Sequence, residues 1–216
     1  MNIQSLTDHF FDFGVLPVVT IEKPDSALPL ADALLKGGLP VAEITFRTRA
    51  AEKSMRILRK NRPELLLGAG TVLTVEQLRK AKGAGAKFGL APGFNPEIVK
   101  AAQEIDFPFF PGVLTPTEIE RSIAFGVDTV KFFPVEPSGG VRMLKSLEGP
   151  YGHCGLRFIP TGGVNPQNLK KYLTLESVLA VGGTWIATKE LIAEKKWDAI
   201  SANAKAAATL AKKLRL

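Results

Sequence analysis

The stretch D-T-V-K-F-F-P-V-E-P-S-G-G, residues 128–140, decides how the chain is read. Residues 129–133 have the β-branched and aromatic content of a short strand, closed by Pro134 and then by the turn residues Ser138, Gly139 and Gly140. The run is apolar on both faces except at its centre, where Lys131 stands. A strand covered on both faces belongs in a parallel sheet. A lysine inside it is costly, because an unpaired ammonium resists removal from water. One element therefore points to a buried parallel strand and raises the question of why a lysine stands inside it.

The same unit recurs on either side. GVLPVVTIE, PVAEITF, LLLGAGTV, KFGLAPG, FPFFPGV, LRFIPTGG and VLAVGGTWI are similar apolar runs, bringing the total to eight. Helical stretches separate them, among them SALPLADALLKGG, AAEKSMRILRKN and TVEQLRKAKGAG. In the last, Leu78 and Ala81 share a face, and Gly83 and Gly85 are placed to end the helix. NPEIVKAAQEI, TPTEIERSIAFG and NPQNLKKYL each open with a polar residue and a proline suited to a first helical turn. Eight buried strands alternating with helices predict an α/β fold, a single (β/α)8 TIM barrel over residues 1–216. Residues 3–11 predict an extra N-terminal helix covering one end. A doubly wound open sheet is the alternative, but the runs show no clear reversal point.

Composition agrees with one soluble enzyme-like domain. The chain has 216 residues, 45% hydrophobic and 23% charged, enough to bury a substantial core. The opening MNIQSLTDHFFDFG lacks the pattern of a secretory signal, and no apolar stretch approaches the roughly 20 residues of a membrane span, so a cytoplasmic location is expected. Cys154 is the single cysteine, and no His/Cys cluster offers metal ligands. The formal charge of +7 favours anionic partners. Its basic residues are scattered through helical stretches such as RILRKNR, without the aromatic interleaving of a nucleic-acid surface. A polyanion-binding domain is thus the weaker reading, and neither nucleic acid nor membrane is an expected partner.

In a parallel barrel, chemistry gathers at the C-terminal strand ends. Alternation puts Thr129, Lys131 and Phe133 on one face of their strand. Facing the barrel axis, a lysine loses hydration, which disfavours the ammonium and favours the free amine that attacks a ketone. The competing reading is a snorkelling or ion-paired lysine. Glu43, Thr45 and Arg47 share a face in V-A-E-I-T-F-R-T. A buried carboxyl near a lysine is either a structural ion pair or the proton shuttle that imine chemistry needs. Arg47 presents a planar fork for a carboxylate, and GAGT, residues 68–71, lies where it could share that task. PTGGV and VGGTW end the last two runs, where barrel enzymes often hold phosphate on backbone N–H groups.

E-I-T-F-R-T, G-A-G-T-V-L, A-P-G, F-F-P-G, V-K-F-F-P, P-T-G-G-V and V-G-G-T-W occur in this order across nearly the whole chain. Together they resemble the bacterial class I 2-keto-3-deoxy-6-phosphogluconate (KDPG) aldolases, which share 4-hydroxy-2-oxoglutarate (KHG) aldolase activity. The resemblance implies a metal-independent lyase without a cofactor, typically a homotrimer, acting on a phosphorylated keto acid and releasing pyruvate. It implies Lys131 as the Schiff-base nucleophile and Glu43 as general acid/base. Arg47 and Thr71 would hold the pyruvyl carboxylate, Pro92 and Phe133 would line its pocket, and Thr161 would read a hydroxyl beyond the cleaved bond. Gly162, Gly163, Gly183 and Thr184 would form the phosphate site. Thr184 stands where serine is common, and the first strand ends Thr20-Ile21-Glu22 where some relatives carry arginine. The remaining alternative is a phosphate-binding barrel epimerase or decarboxylase without covalent lysine chemistry.

Overall fold

The computed structural model describes residues 3–215; Met1, Asn2 and Leu216, at the ends of the expected domain, lie outside the described residues. The strands are β1 Val15–Val19, β2 Val41–Thr45, β3 Leu66–Gly70, β4 Phe88–Leu90, β5 Phe109–Phe110, β6 Gly112–Val113, β7 Thr129–Phe132, β8 Arg157–Pro160 and β9 Val181–Gly183. The helices are α1 Ile3–Phe13, α2 Ala27–Lys36, α3 Ala51–Asn61, α4 Val75–Ala84, α5 Pro96–Glu104, α6 Pro116–Ala124, α7 Gly140–Tyr151, α8 Leu169–Leu173, α9 Lys189–Ala193 and α10 Trp197–Arg215. Every ladder is parallel. One sheet runs β5-β4-β3-β2-β1-β9 and the other β6-β7-β8. Isolated parallel bridges pair Phe158 with Val178 and Thr161 with Gly182, bringing the edge of β8 to the chain around β9. The result is an α/β fold with a curled, barrel-like parallel sheet.

Each of the eight apolar runs contributes strand, but FPFFPGV contributes two pieces. Pro111 separates β5, which pairs with β4, from β6, which pairs with β7. Proline has no N–H for a ladder, so the strand breaks there. Its carbonyl still serves, accepting the Lys131 N–H at 2.9 Å.

Local chemistry explains several helix boundaries. Thr115 and Glu118 form a reciprocal capping box at α6, with Pro116 in the first turn. Thr74 caps α4 by accepting from the Gln77 N–H at 3.1 Å, and Gly85, at φ +101°, closes it in the left-handed conformation. α1 buries Leu6 and Phe10, and the Phe10 ring lies 4.8 Å from Phe88 and 5.4 Å from Phe110 between centroids. Three helices are faint in the sequence. α7 starts at a glycine and carries Pro150, yet Leu144 and Leu147 anchor it. α9 has only five residues. α10 packs through Ile200 and small alanines, and a side-chain carbon at Gly37 would lie 2.6 Å from Ala204 Cβ. Among the described residues no helix is long and apolar enough to cross a membrane.

Candidate active site

Lys131 is the third residue of β7 and Glu43 the third of β2. In either direction through the sheet order, several strands separate β2 from β7. Their side chains nevertheless meet. Lys131 Nζ donates to Glu43 Oε1 at 3.0 Å, with side-chain exposures of 4% and 1%. Only curling of the sheet brings these strands face to face, so both residues point to the shared interior. The ammonium and carboxylate offset each other's loss of hydration, which neither could bear alone. Glu43 Oε2 is buried and, among the described residues, accepts no hydrogen bond, which leaves it available to a reacting group.

The surroundings are shaped around that pair. A Cβ at Gly70 would lie 2.1 Å from Glu43 Oε1, so the last residue of β3 must be glycine for the carboxylate to occupy its place. Thr45 Oγ1 donates to the Val19 carbonyl at 3.0 Å and receives the Thr20 hydroxyl at 3.0 Å, which ties the ends of β1 and β2 together. The Phe133 ring lies 5.9 Å from Lys131 Nζ, close enough for a cation–π contact with an ammonium. Gly112 is the register partner of Lys131 on β6, and a Cβ there would lie 2.2 Å from the Pro92 carbonyl. Pro92 thus presses against the backbone next to the lysine.

Arg47 Nε donates to Thr71 Oγ1 at 3.2 Å, joining the exposed end of the β2 segment to the end of β3. Thr71 has φ +55°, an uncommon conformation for a β-branched residue and one that marks a constrained site. Thr161 is buried and follows β8, two residues beyond Ile159, the other register partner of Lys131. Its hydroxyl donates weakly to the Ile159 carbonyl at 3.3 Å, and a Cβ at Gly182 would lie 2.2 Å from it.

Gly162 and Gly163 have φ +96° and +94°. Their carbonyls are engaged: Gly162 O accepts from the Glu136 N–H at 3.0 Å, and Gly163 O accepts from the Asn165 and Asn168 amides at 3.2 and 3.1 Å. Among the described residues, no acceptor meets the N–H groups of Gly162, Gly163 and Val164. Satisfied carbonyls beside free, neighbouring N–H groups make a concavity that favours an anion. Gly183 ends β9 on the adjacent strand, and the exposed Thr184 follows it.

A family model described as KDPG and KHG aldolase matches residues 8–203. The chain belongs to the KDPG and KHG aldolase family. It is 47% identical over 197 residues to 2-dehydro-3-deoxy-phosphogluconate aldolase of Haemophilus influenzae, covering 91% of this chain and 92% of that one. It is 40% identical over 198 residues to the KHG/KDPG aldolase of Escherichia coli K12, with 92% of each covered. The KDPG aldolase of Legionella pneumophila, whose crystal structure holds pyruvate captured at low pH as a covalent carbinolamine, superposes with a TM-score of 0.89 at 38% identity, covering 93% of this chain and 96% of that one. This chain is accordingly a lyase of the Schiff-base, class I aldolase type.

In this aldolase the first-strand departure has a structural counterpart. Glu22 accepts from Lys189 at 2.9 Å, so a paired carboxylate closes the Thr20-Ile21-Glu22 segment after β1. Two open grooves of about 540 and 570 Å³ flank the start of α1 beside Asp128 and Thr129, at the opposite end of β7 from Phe133. Neither contains a residue of the Lys131 constellation. Sequence reasoning missed the packing role of Gly70 and Gly182 and the Tyr172 hydroxyl, which donates to Glu136 beside the Gly163 loop. Close approaches of this kind leave no mark beyond the glycine itself.

Proposed function

We propose that this aldolase cleaves 2-keto-3-deoxy-6-phosphogluconate to pyruvate and glyceraldehyde 3-phosphate, and also 4-hydroxy-2-oxoglutarate to pyruvate and glyoxylate. Lys131 is the nucleophile and Glu43 the general acid/base. The observation that carries the reading is the 3.0 Å contact of Lys131 with Glu43 inside an apolar interior. The names of the Haemophilus and Escherichia relatives support both substrates.

The chemistry follows from that contact. Glu43 takes a proton from Lys131, and the free amine adds to the C2 ketone to give a carbinolamine. The protonated Glu43 returns a proton to the departing hydroxyl, and water leaves a cationic imine. That cation accepts the electron pair of the C3–C4 bond once Glu43, directly or through water, removes the C4 hydroxyl proton. The aldehyde departs and an enamine remains, which is protonated at C3. Water then hydrolyses the imine, releasing pyruvate and restoring the lysine. Arg47 with Thr71 holds the pyruvyl carboxylate, Pro92 and Phe133 line the pocket and keep water from the enamine, and Gly162, Gly163, Gly183 and Thr184 hold the phosphate.

Borohydride reduction in the presence of pyruvate tests this directly. A reduced pyruvyl adduct on the peptide carrying Lys131 is expected by intact mass and peptide mapping. A folded protein that gains no adduct overturns the assignment. A phosphate-binding epimerase or decarboxylase is not favoured, because it has no use for the lysine–glutamate pair.

In the same proposal Thr161 reads the C4 hydroxyl. Thr161→Val keeps the volume but removes the hydroxyl, and discrimination in kcat/KM between C4 epimers should fall by about tenfold. An unchanged ratio would remove Thr161 from substrate recognition.

The architecture is completed in the same reading. Counting β5 and β6 as one interrupted strand, the nine strand pieces make eight strands of a closed (β/α)8 barrel, supported by the two bridges at β8. The full chain 1–216 is one domain, with α1 as the extra helix against the strand starts. A cytoplasmic homotrimer serving Entner–Doudoroff carbohydrate breakdown completes the proposal.

A further inference from the structure

We propose that Tyr172 is a positioning residue for the phosphate loop and acts through Glu136. This rests on the reading of Gly162 and Gly163 as the phosphate site.

Tyr172, on α8, is fully buried, and its hydroxyl donates to Glu136 Oε1. The mechanism above uses neither residue. Burial, and then the Glu136 carboxylate, push the Tyr172 hydroxyl well above the ordinary tyrosine range, so it remains a donor at any working pH. Glu136 is exposed and lies just after β7, the strand of Lys131. It touches both loop glycines. Its N–H donates to Gly162 O at 3.0 Å, and a Cβ at Gly163 would lie 2.6 Å from Glu136 Cβ. The far end of the side chain is held by Tyr172, and Gly140, at φ +58°, leaves room for this, since a Cβ there would lie 3.1 Å from both Glu136 Oε1 and the Tyr172 hydroxyl.

Two consequences follow from this arrangement. The Glu136 stem braces the loop in the conformation that turns its carbonyls toward protein and leaves three N–H groups for an anion. The Tyr172 hydroxyl also keeps the carboxylate turned back. Released, an exposed carboxylate this close would compete for the same N–H groups and repel a phosphate dianion, since the separation is shorter than the roughly 10 Å over which salt screens charge.

The test compares phosphorylated with unphosphorylated substrate. In Tyr172→Phe, KM for 2-keto-3-deoxy-6-phosphogluconate and the inhibition constant of inorganic phosphate should both rise about tenfold, while KM for 4-hydroxy-2-oxoglutarate changes by less than about twofold. Glu136→Gln keeps an acceptor for the tyrosine and should retain the preference. Glu136→Ala, at an exposed position, should reproduce the loss even if Tyr172→Phe does not fold. Equal changes for both substrates, or an unchanged phosphate constant in Tyr172→Phe and Glu136→Ala, overturn the positioning role. If the unaltered enzyme neither prefers the phosphorylated substrate nor is inhibited by phosphate, the phosphate-site reading itself fails and takes this proposal with it.

Discussion

Lys131→Met should lower turnover of either substrate to about one part in 10⁴ or less, and abolish the borohydride-trapped pyruvyl adduct, in a chain that still folds. Methionine retains the unbranched stem of the lysine and fits an apolar interior, so the strand is not overpacked. What it removes is the amine that meets Glu43 in this interior, at 3.0 Å. The variant should also be less stable. Breaking a buried ion pair costs about 3–5 kcal/mol when one charge is left alone, and Glu43 is only 1% exposed. A double variant, Lys131→Met with Glu43→Gln, should therefore regain melting temperature without regaining activity. Near-normal turnover in the single variant would sink the nucleophile assignment, and an equal melting temperature in both variants would remove the ion-pair argument.

Glu43→Gln should lower kcat by about 10²–10⁴-fold, the usual contribution of a positioned acid or base. The amide has nearly the same volume, and its carbonyl oxygen can still accept from Lys131. The packing set by Gly70 should persist, because glutamine is no bulkier at the point of contact. What is lost is the capacity to take and return protons in carbinolamine dehydration and C3–C4 cleavage. Trapping separates the two variants: Glu43→Gln should still accumulate the pyruvyl adduct, but slowly, whereas Lys131→Met should accumulate none. Turnover within about twofold of the unaltered enzyme would leave Glu43 as a structural partner of the lysine.

Much of the architecture was legible because strand and helix periodicities are local. The eight apolar runs each supply strand, and the openings NPEIVKAAQEI and TPTEIERSIAFG mark α5 and α6 through caps written in adjacent residues. Where the signal was weak, the physics was distant. α10 is held by alanines whose contribution depends on how closely α2 approaches, and the break at Pro111 matters only because each half of that run has a different neighbour. In the site, alternation alone placed Lys131 with Phe133 and Glu43 with Thr45 and Arg47. Nothing local connected Glu136 with Tyr172, which lie 36 residues apart.

By itself the sequence determined the repeating strand–helix unit, the residue types at the strand ends and membership of an aldolase family, since these are carried by spacing and motif along the chain. Only the tertiary structure decided that Lys131 and Glu43, 88 residues apart, meet in one interior. The same holds for the space that Gly70 leaves for a carboxylate and for the Gly162–Gly163 carbonyls turned to protein partners. Those facts depend on the curl of the sheet and on distances between strands that are not neighbours. A period of two fixes which residues share a face; it does not fix what the face meets across the axis.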